Sequence, residues 1–176
     1  MSRYLIVNLF SDPVKKHHSE LVSALKEHFS VQPQKIGAHM TLIPPFECED
    51  ILALVRYTEL YAKTHKRMPV IVGGIGSFRD NVVYLKIQMT QEAEQTLIQY
   101  IEKAQTHFES RAQLTTPHVF HCTLVSRRIS KKFDMISNYL ENEQKLFNSY
   151  IDNLTLLRWS EDEQQWIVEK QYHLHP

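Results

Sequence analysis

Apolar positions along this chain alternate between two periods. Tyr4 to Phe10 is a nearly unbroken apolar run of strand length. From Val14 onward the apolar residues fall at helical spacing, through Leu21, Val22, Leu25 and Phe29. Ser11-Asp12-Pro13, between the two, predicts a helix start with Asp12 as N-cap and Pro13 at the first helical position. Val31 to Gly37 reads as a connection. A short strand around Met40 and Leu42 follows, which Pro44-Pro45 must end or confine to a sheet edge, because proline cannot donate to a ladder. Asp50 to Lys66 returns to helical spacing, with Ile51, Leu54, Val55 and Ala62 on one side, and Pro69 to Ile75 is a strand again.

The second half repeats the order. A turn at Asn81 leads into a strand from Val82 to Met89. Thr90 caps an amphipathic helix carrying Leu97, Ile98, Ile101, Ala104 and Phe108. Arg111 to Pro117 is a loop, Val119 to Ser126 a strand and Lys131 to Glu143 a helix. Leu146 to Trp159 and Trp166 to Leu174 read as a strand pair joined by the polar segment S-E-D-E-Q-Q. Each half thus runs strand, helix, short strand, helix, strand, and the second adds one strand. This predicts a single bilobal domain over residues 1–176, with lobes of roughly 1–80 and 81–176 and room for terminal strands to exchange.

Composition narrows the functions. Lys and Arg total 20 and Asp and Glu total 20, so the formal charge is zero, which argues against a broad, sequence-blind grip on duplex DNA. A local basic patch would still serve a nucleotide or an RNA end. The two cysteines, Cys48 and Cys122, form no C-x-x-C pair and are too few for a disulfide framework, which fits a reducing cytoplasm. The apolar run near the N-terminus is too short for a signal peptide, and no later run reaches membrane-spanning length.

The short strands at the same place in each half both contain H-x-T-L: His39-Met40-Thr41-Leu42 and His121-Cys122-Thr123-Leu124. Strand side chains alternate faces, so His39 and Thr41 share one face, as do His121 and Thr123, with an apolar pair behind each. A lone H-x-T-L is most simply a structural histidine beside a strand-forming threonine. A second copy at the duplicated position points instead to one site built from both halves. Imidazole titrates near neutral pH and can give or take a proton there. A threonine hydroxyl can donate to a phosphoryl oxygen on which charge develops. Two of each around one phosphorus would catalyse an in-line displacement without a metal or any other cofactor.

These motifs resemble those of the two-histidine (2H) phosphoesterase superfamily, which includes the bacterial 2′-5′ RNA ligase-like proteins and RNA 2′,3′-cyclic phosphodiesterases. The resemblance covers nearly the whole chain. Gly74-Ile75-Gly76-Ser77-Phe78 with the strand from Val82, and the strand from Ile151, are similar to segments of that family. The resemblance implies an α+β fold of two related antiparallel sheets around a central cleft, with helices outside and His39, Thr41, His121 and Thr123 lining the cleft. It implies opening of a 2′,3′-cyclic phosphate, on an RNA terminus or a small nucleotide, to a 2′-phosphate, or the reverse ligation. His121 would be the base that activates water and His39 the acid on the leaving oxygen. The alternative is a non-catalytic RNA- or nucleotide-binding module using the same cleft.

The sequence departs from the family pattern in two places. Proline precedes His118 rather than His121, but His118 lacks a threonine two residues on and lies on the opposite strand face. The arginine expected after the second motif comes as Arg127-Arg128. Arg127 is the candidate phosphate-binding cation, and Phe46 and Phe120 are candidates to stack a base, although core packing is the simpler role for both. The wider cluster of Arg127, Arg128, Lys131 and Lys132 reads first as a solvated helix start. Val72-Gly73-Gly74-Ile75-Gly76 lacks the residues of a phosphate loop and suggests a bulge. His17-His18 has no ligand partner one turn on, so no metal site is expected, and His173-Leu174-His175 reads as an exposed tail. No membrane contact and no obligate protein partner is expected.

Overall fold

A computed structural model describes residues 1–108 and 119–176. Its strands are β1 (Ser2–Leu9), β2 (His39–Cys48), β3 (Met68–Phe78), β4 (Val82–Gln88), β5 (His121–Ser126), β6 (Leu146–Ile151), β7 (Asn153–Ser160) and β8 (Gln165–His173). The helices are α1 (Val14–Phe29), α2 (Leu52–Thr64), α3 (Gln91–Gln105) and α4 (Phe133–Leu140), the last entered through a 3₁₀ turn at Ser130–Lys132. They build two four-stranded sheets, ordered β2-β1-β7-β8 and β5-β4-β3-β6. Every strand pairing in both sheets is antiparallel. Among the described residues, no helix is long and apolar enough to cross a membrane.

The two strands carrying H-x-T-L are the adjoining edges of the two sheets, with β2 beside β5. Proline explains one of these edges. Strand β2 continues through Pro44-Pro45, and the ladder to β1 shifts register between Tyr4 and Ile6, where the prolines cannot donate. The strand is therefore held at the edge rather than ended.

Two sequence expectations change here. Leu146 to Trp159 is not one strand. It divides at Asp152, whose N–H donates to Asn8 Oδ1 at 3.1 Å; β6 then pairs with β3, while β7 crosses to pair with β1. The sheets consequently do not follow the chain's midpoint: β3 joins strands of the second half, and β7 and β8 join those of the first. The C-terminal His173-Leu174-His175 is anchored, not free. Leu174 is buried, and the His175 main chain bonds His65 and Arg67.

Local signals otherwise act as their chemistry requires. Pro13 occupies the N-cap of α1, one position from expectation, and Asp12 Oδ1 accepts the Lys16 N–H at 3.1 Å. Thr90 caps α3 by accepting from Ala93 N at 3.2 Å. Gly73 sits at φ 141° in the bulge of β3, where any Cβ would collide with the Lys145 carbonyl oxygen. One core joins the outer faces of both sheets to the helices, through residues such as Leu25, Leu97, Tyr100, Met40, Leu42, Cys122 and Leu124. These include the apolar residues of both tetrapeptides, so the histidines and threonines are turned the other way.

Candidate active site

Register assigns each residue to its face. Leu9 pairs with His39 and Val7 with Thr41, and Val7 also pairs with Thr155. The inner face of the first sheet therefore carries His39 and Thr41 beside Val7, Leu9 and Thr155. In the second sheet His121 pairs with Lys86 and Thr123 with Tyr84. Strands β2 and β5 adjoin along the seam between the sheets, so the two His/Thr pairs are carried on neighbouring strands. The seam is stitched by packing behind it: the buried Cys122 thiol bonds the His39 main chain, and α1 packs on β5.

Both imidazoles are held in the same way. His39 Nδ1–H donates to the Gly37 carbonyl at 2.8 Å, and His121 Nδ1–H donates to the Val119 carbonyl at 2.9 Å. In each case the acceptor lies two residues upstream. Because a carbonyl can only accept, the bond fixes the proton of the neutral ring on Nδ1 and leaves the Nε2 lone pair for a reacting group. The duplication seen in the sequence thus extends to the tautomer.

The environments of the rings differ. His39 is 7% exposed. Burial pushes its pKa down to about 4, against the opposing pull of the Gly37 bond; the neighbouring His18 and His121 rings push it further down. His121 is half-buried and lies in an aromatic corner, with the Phe78 ring edge-on at 4.8 Å and Tyr84 at 5.1 Å. Burial pushes the Cys122 thiol up to about 12, so it stays protonated and non-nucleophilic at neutral pH.

Several groups around the site were not singled out by sequence. His18 is buried on α1, and its Nε2–H donates to the Thr123 carbonyl at 2.8 Å, bracing the second motif from behind. Tyr84 and Lys86 stand opposite Thr123 and His121 across the β4–β5 ladder. Gly76 makes room for Tyr84, since a Cβ there would fall on the tyrosine ring. A glycine inside a strand is the sequence signal for such a close approach, but naming the tyrosine requires the strand register.

The substrate-binding candidates separate. Phe46 and Phe120 are each 6% exposed and belong to the core; Phe46 stacks on Phe108 at 3.9 Å. They cannot offer an open face to a base, because β2 carries Phe46 on the side that packs against α3. Arg127 is exposed at the end of β5 beside Arg128, and both have left-handed backbones, with φ of 61° and 56°. They border a cavity of about 690 Å³. Lys132 is turned back to donate to the Phe29 carbonyl. His118 lies outside the described residues, as does the Arg111–Pro117 loop.

Comparison with known proteins bears on the family and the fold. The 2′-5′ RNA ligase superfamily matches residues 11–163. A Staphylococcus aureus (strain JH1) protein named "Putative phosphoesterase" is 26% identical over 165 residues, covering 90% of this chain and 94% of its own. The crystal structure of E. coli LigT complexed with NADP+ superposes with a TM-score of 0.67 at 15% identity, covering 99% of each chain. That of LigT complexed with 3′-AMP gives 0.66 at 14% identity, again over 99% of each. At such identities the two structures establish the shared fold.

Proposed function

The chain belongs to the 2′-5′ RNA ligase superfamily, of the 2H phosphoesterase type, and from that premise we propose that it is a metal-independent phosphoesterase opening 2′,3′-cyclic phosphates at RNA ends or on small nucleotides. The observation that carries this reading is the matched pair of imidazoles. Each is fixed by Nδ1 to the carbonyl two residues upstream, and each keeps Nε2 available.

The reaction needs one proton removed and one supplied. A water attacks phosphorus as one histidine takes its proton. The bond from phosphorus to O3′ breaks, and the other histidine protonates that oxygen, leaving a 2′-phosphate and a 3′-hydroxyl. Thr41 and Thr123 donate to the non-bridging oxygens as negative charge gathers there. We retain His121, the more open ring, as the base, and His39 as the acid. With a pKa of about 4, His39 is neutral in the empty groove at pH 7. It becomes an acid when the phosphodiester anion arrives, because an adjacent negative charge favours imidazolium. Substrate and proton thus bind together. Ligation is the same step with a 5′-hydroxyl in place of water, giving a 2′-5′ linkage and a 3′-hydroxyl, and cleavage of that linkage runs it backwards with the roles exchanged.

The names of the relatives support the coarser part of this reading: a phosphoesterase, and a LigT crystallised with 3′-AMP. A direct test is to offer a 2′,3′-cyclic mononucleotide in EDTA and identify the product. A 2′-monophosphate, formed at an undiminished rate under chelation, is expected. A 3′-monophosphate, or activity lost on chelation, overturns the mechanism.

A further inference from the structure

The inner face of the first sheet does not end at the two histidine strands. Alternation along β1 places Arg3 and Leu5 on the same face as Val7 and Leu9, and alternation along β7 places Leu157 and Trp159 with Thr155. Trp159 pairs with Trp166 on β8, and the two rings meet edge to face at 5.5 Å. The middle of this face is sealed, since Leu5, Val7 and Leu157 are buried and Ile36 packs over them. Beyond that seal lies the cavity of about 690 Å³, a size suited to a small ligand or one nucleotide unit. Its lining includes neither His39 nor His121.

Its chemistry is one-sided. Among the described residues the lining includes Arg3, Lys35, Arg127, Arg128 and Lys132, and no Asp or Glu. In a chain of zero net charge, such clustering is a local departure that favours an anion. The apolar part of the lining is aromatic, and both tryptophans already receive cations: Lys35 Nζ lies 4.7 Å from the Trp159 ring centre and the Arg3 guanidinium 5.7 Å from that of Trp166. Both tryptophans are half-buried. Arg127 and Arg128 are exposed and held in consecutive left-handed conformations, a strained arrangement for two residues with side chains.

The cavity is linked to the catalytic groove by β5. A register shift between Val83 and Tyr84 puts a bulge in β5 at Leu124-Val125, so Ser126 returns to the face of Thr123 and bonds Gln34 at 3.1 Å in the cavity wall. Ser126 lies three residues beyond Thr123, about 10 Å along the strand.

We propose that this cavity is a second binding site, which takes a base and phosphate of single-stranded RNA by stacking on Trp159 and Trp166 and pairing phosphates with Arg127, Arg128, Arg3 and Lys35. It rests on the phosphoesterase reading only for the idea that the RNA end then reaches the histidines. Stacking is sequence-tolerant, since every base has a π face, so the site holds a strand without selecting one. The preferred substrate is therefore an oligonucleotide end rather than a free cyclic mononucleotide.

The chain has two tryptophans, and both line this cavity, so intrinsic fluorescence reports on it directly. The test is titration of the intact protein with a short single-stranded RNA ending in a 3′-hydroxyl, which gives the histidines nothing to hydrolyse. Saturable quenching is expected, with a Kd that rises as salt is added. Arg127→Gln with Arg128→Gln, two exposed substitutions that do not touch the core, should weaken binding about 10-fold or more. Trp166→Ala, followed by anisotropy of a labelled RNA, should do the same. Absence of quenching at RNA concentrations that saturate turnover of a cyclic-phosphate oligonucleotide overturns the proposal, as does an unchanged Kd in the arginine variants. Equal quenching by an acidic peptide also overturns it, since the cavity would then be reading charge alone. Binding without any turnover of a cyclic phosphate would instead sink the phosphoesterase reading and leave this site standing.

Discussion

The two H-x-T-L strands use one backbone device in two environments. Each histidine donates its Nδ1–H to the carbonyl two residues before it. Around His39 the protein has closed in, leaving it 7% exposed and neutral. Around His121 there is more access, and an aromatic corner of Phe78 and Tyr84 takes the place of deep burial. The repeat therefore preserves the Nδ1 anchor while the depth of burial has diverged. That division suits a reaction that moves two protons in opposite directions, and it can be broken experimentally one side at a time.

The largest effect should come from the rings themselves. His39→Ala and His121→Ala should each lower kcat by at least about 10²-fold, and the double variant should fall short of the product of the two, because the pair acts as a unit. Full activity in either variant, measured with a cyclic mononucleotide, would reduce the groove to a single-histidine site. Next come the hydroxyls: Thr41→Val and Thr123→Val keep the strand shape and remove a donor to the phosphoryl oxygens, and a kcat loss of about 10²-fold is expected for each. A loss from only one would show that the two halves do not contribute alike.

A third variant addresses the aromatic corner alone. Gly76→Val must displace the Tyr84 ring, with an expected stability loss of about 1–3 kcal/mol in denaturant unfolding. Its activity defect should track the His121 side, leaving the acid-dependence of His39 unchanged.

The smallest effect is the most specific to His39. A histidine titrates near 6.5 when unfolded and His39 near 4 when folded, so in that window the unfolded chain binds more protons. Stability should fall as pH drops from about 6.5 towards 4. His17 and His18, also lowered chiefly by burial, add in the same direction. His39→Gln should flatten part of that slope in chemical denaturation at pH 7, 6 and 5, and an unchanged slope would mean that His39 is not held neutral.

Much of this site was legible in the sequence because strand alternation depends only on parity. That parity set His39 with Thr41 and His121 with Thr123, and put Met40, Leu42, Cys122 and Leu124 into the core. The proline pair likewise announced an edge strand. What stayed hidden depended on pairing between distant residues. Nothing local distinguishes a strand that continues through Asp152 from one that changes sheets there, because the decisive bond is to Asn8. Phe46 and Phe120 were candidate stacking groups until folding buried both, whereas Trp159 and Trp166 acquire a common cavity only when β7 pairs with β8. His18 could not be connected to the site from its own helix; its partner is the Thr123 carbonyl.

The central claim is that both imidazoles serve one phosphate. It is tested most directly by ¹⁵N NMR of the histidine rings at pH 7 during titration with a 2′-mononucleotide. The Nε2 resonances of His39 and His121 should shift together and saturate at one equivalent, with His39 gaining a proton as the anion binds. Response of a single ring, or two separate saturations, would place the histidines in different sites and contradict the account.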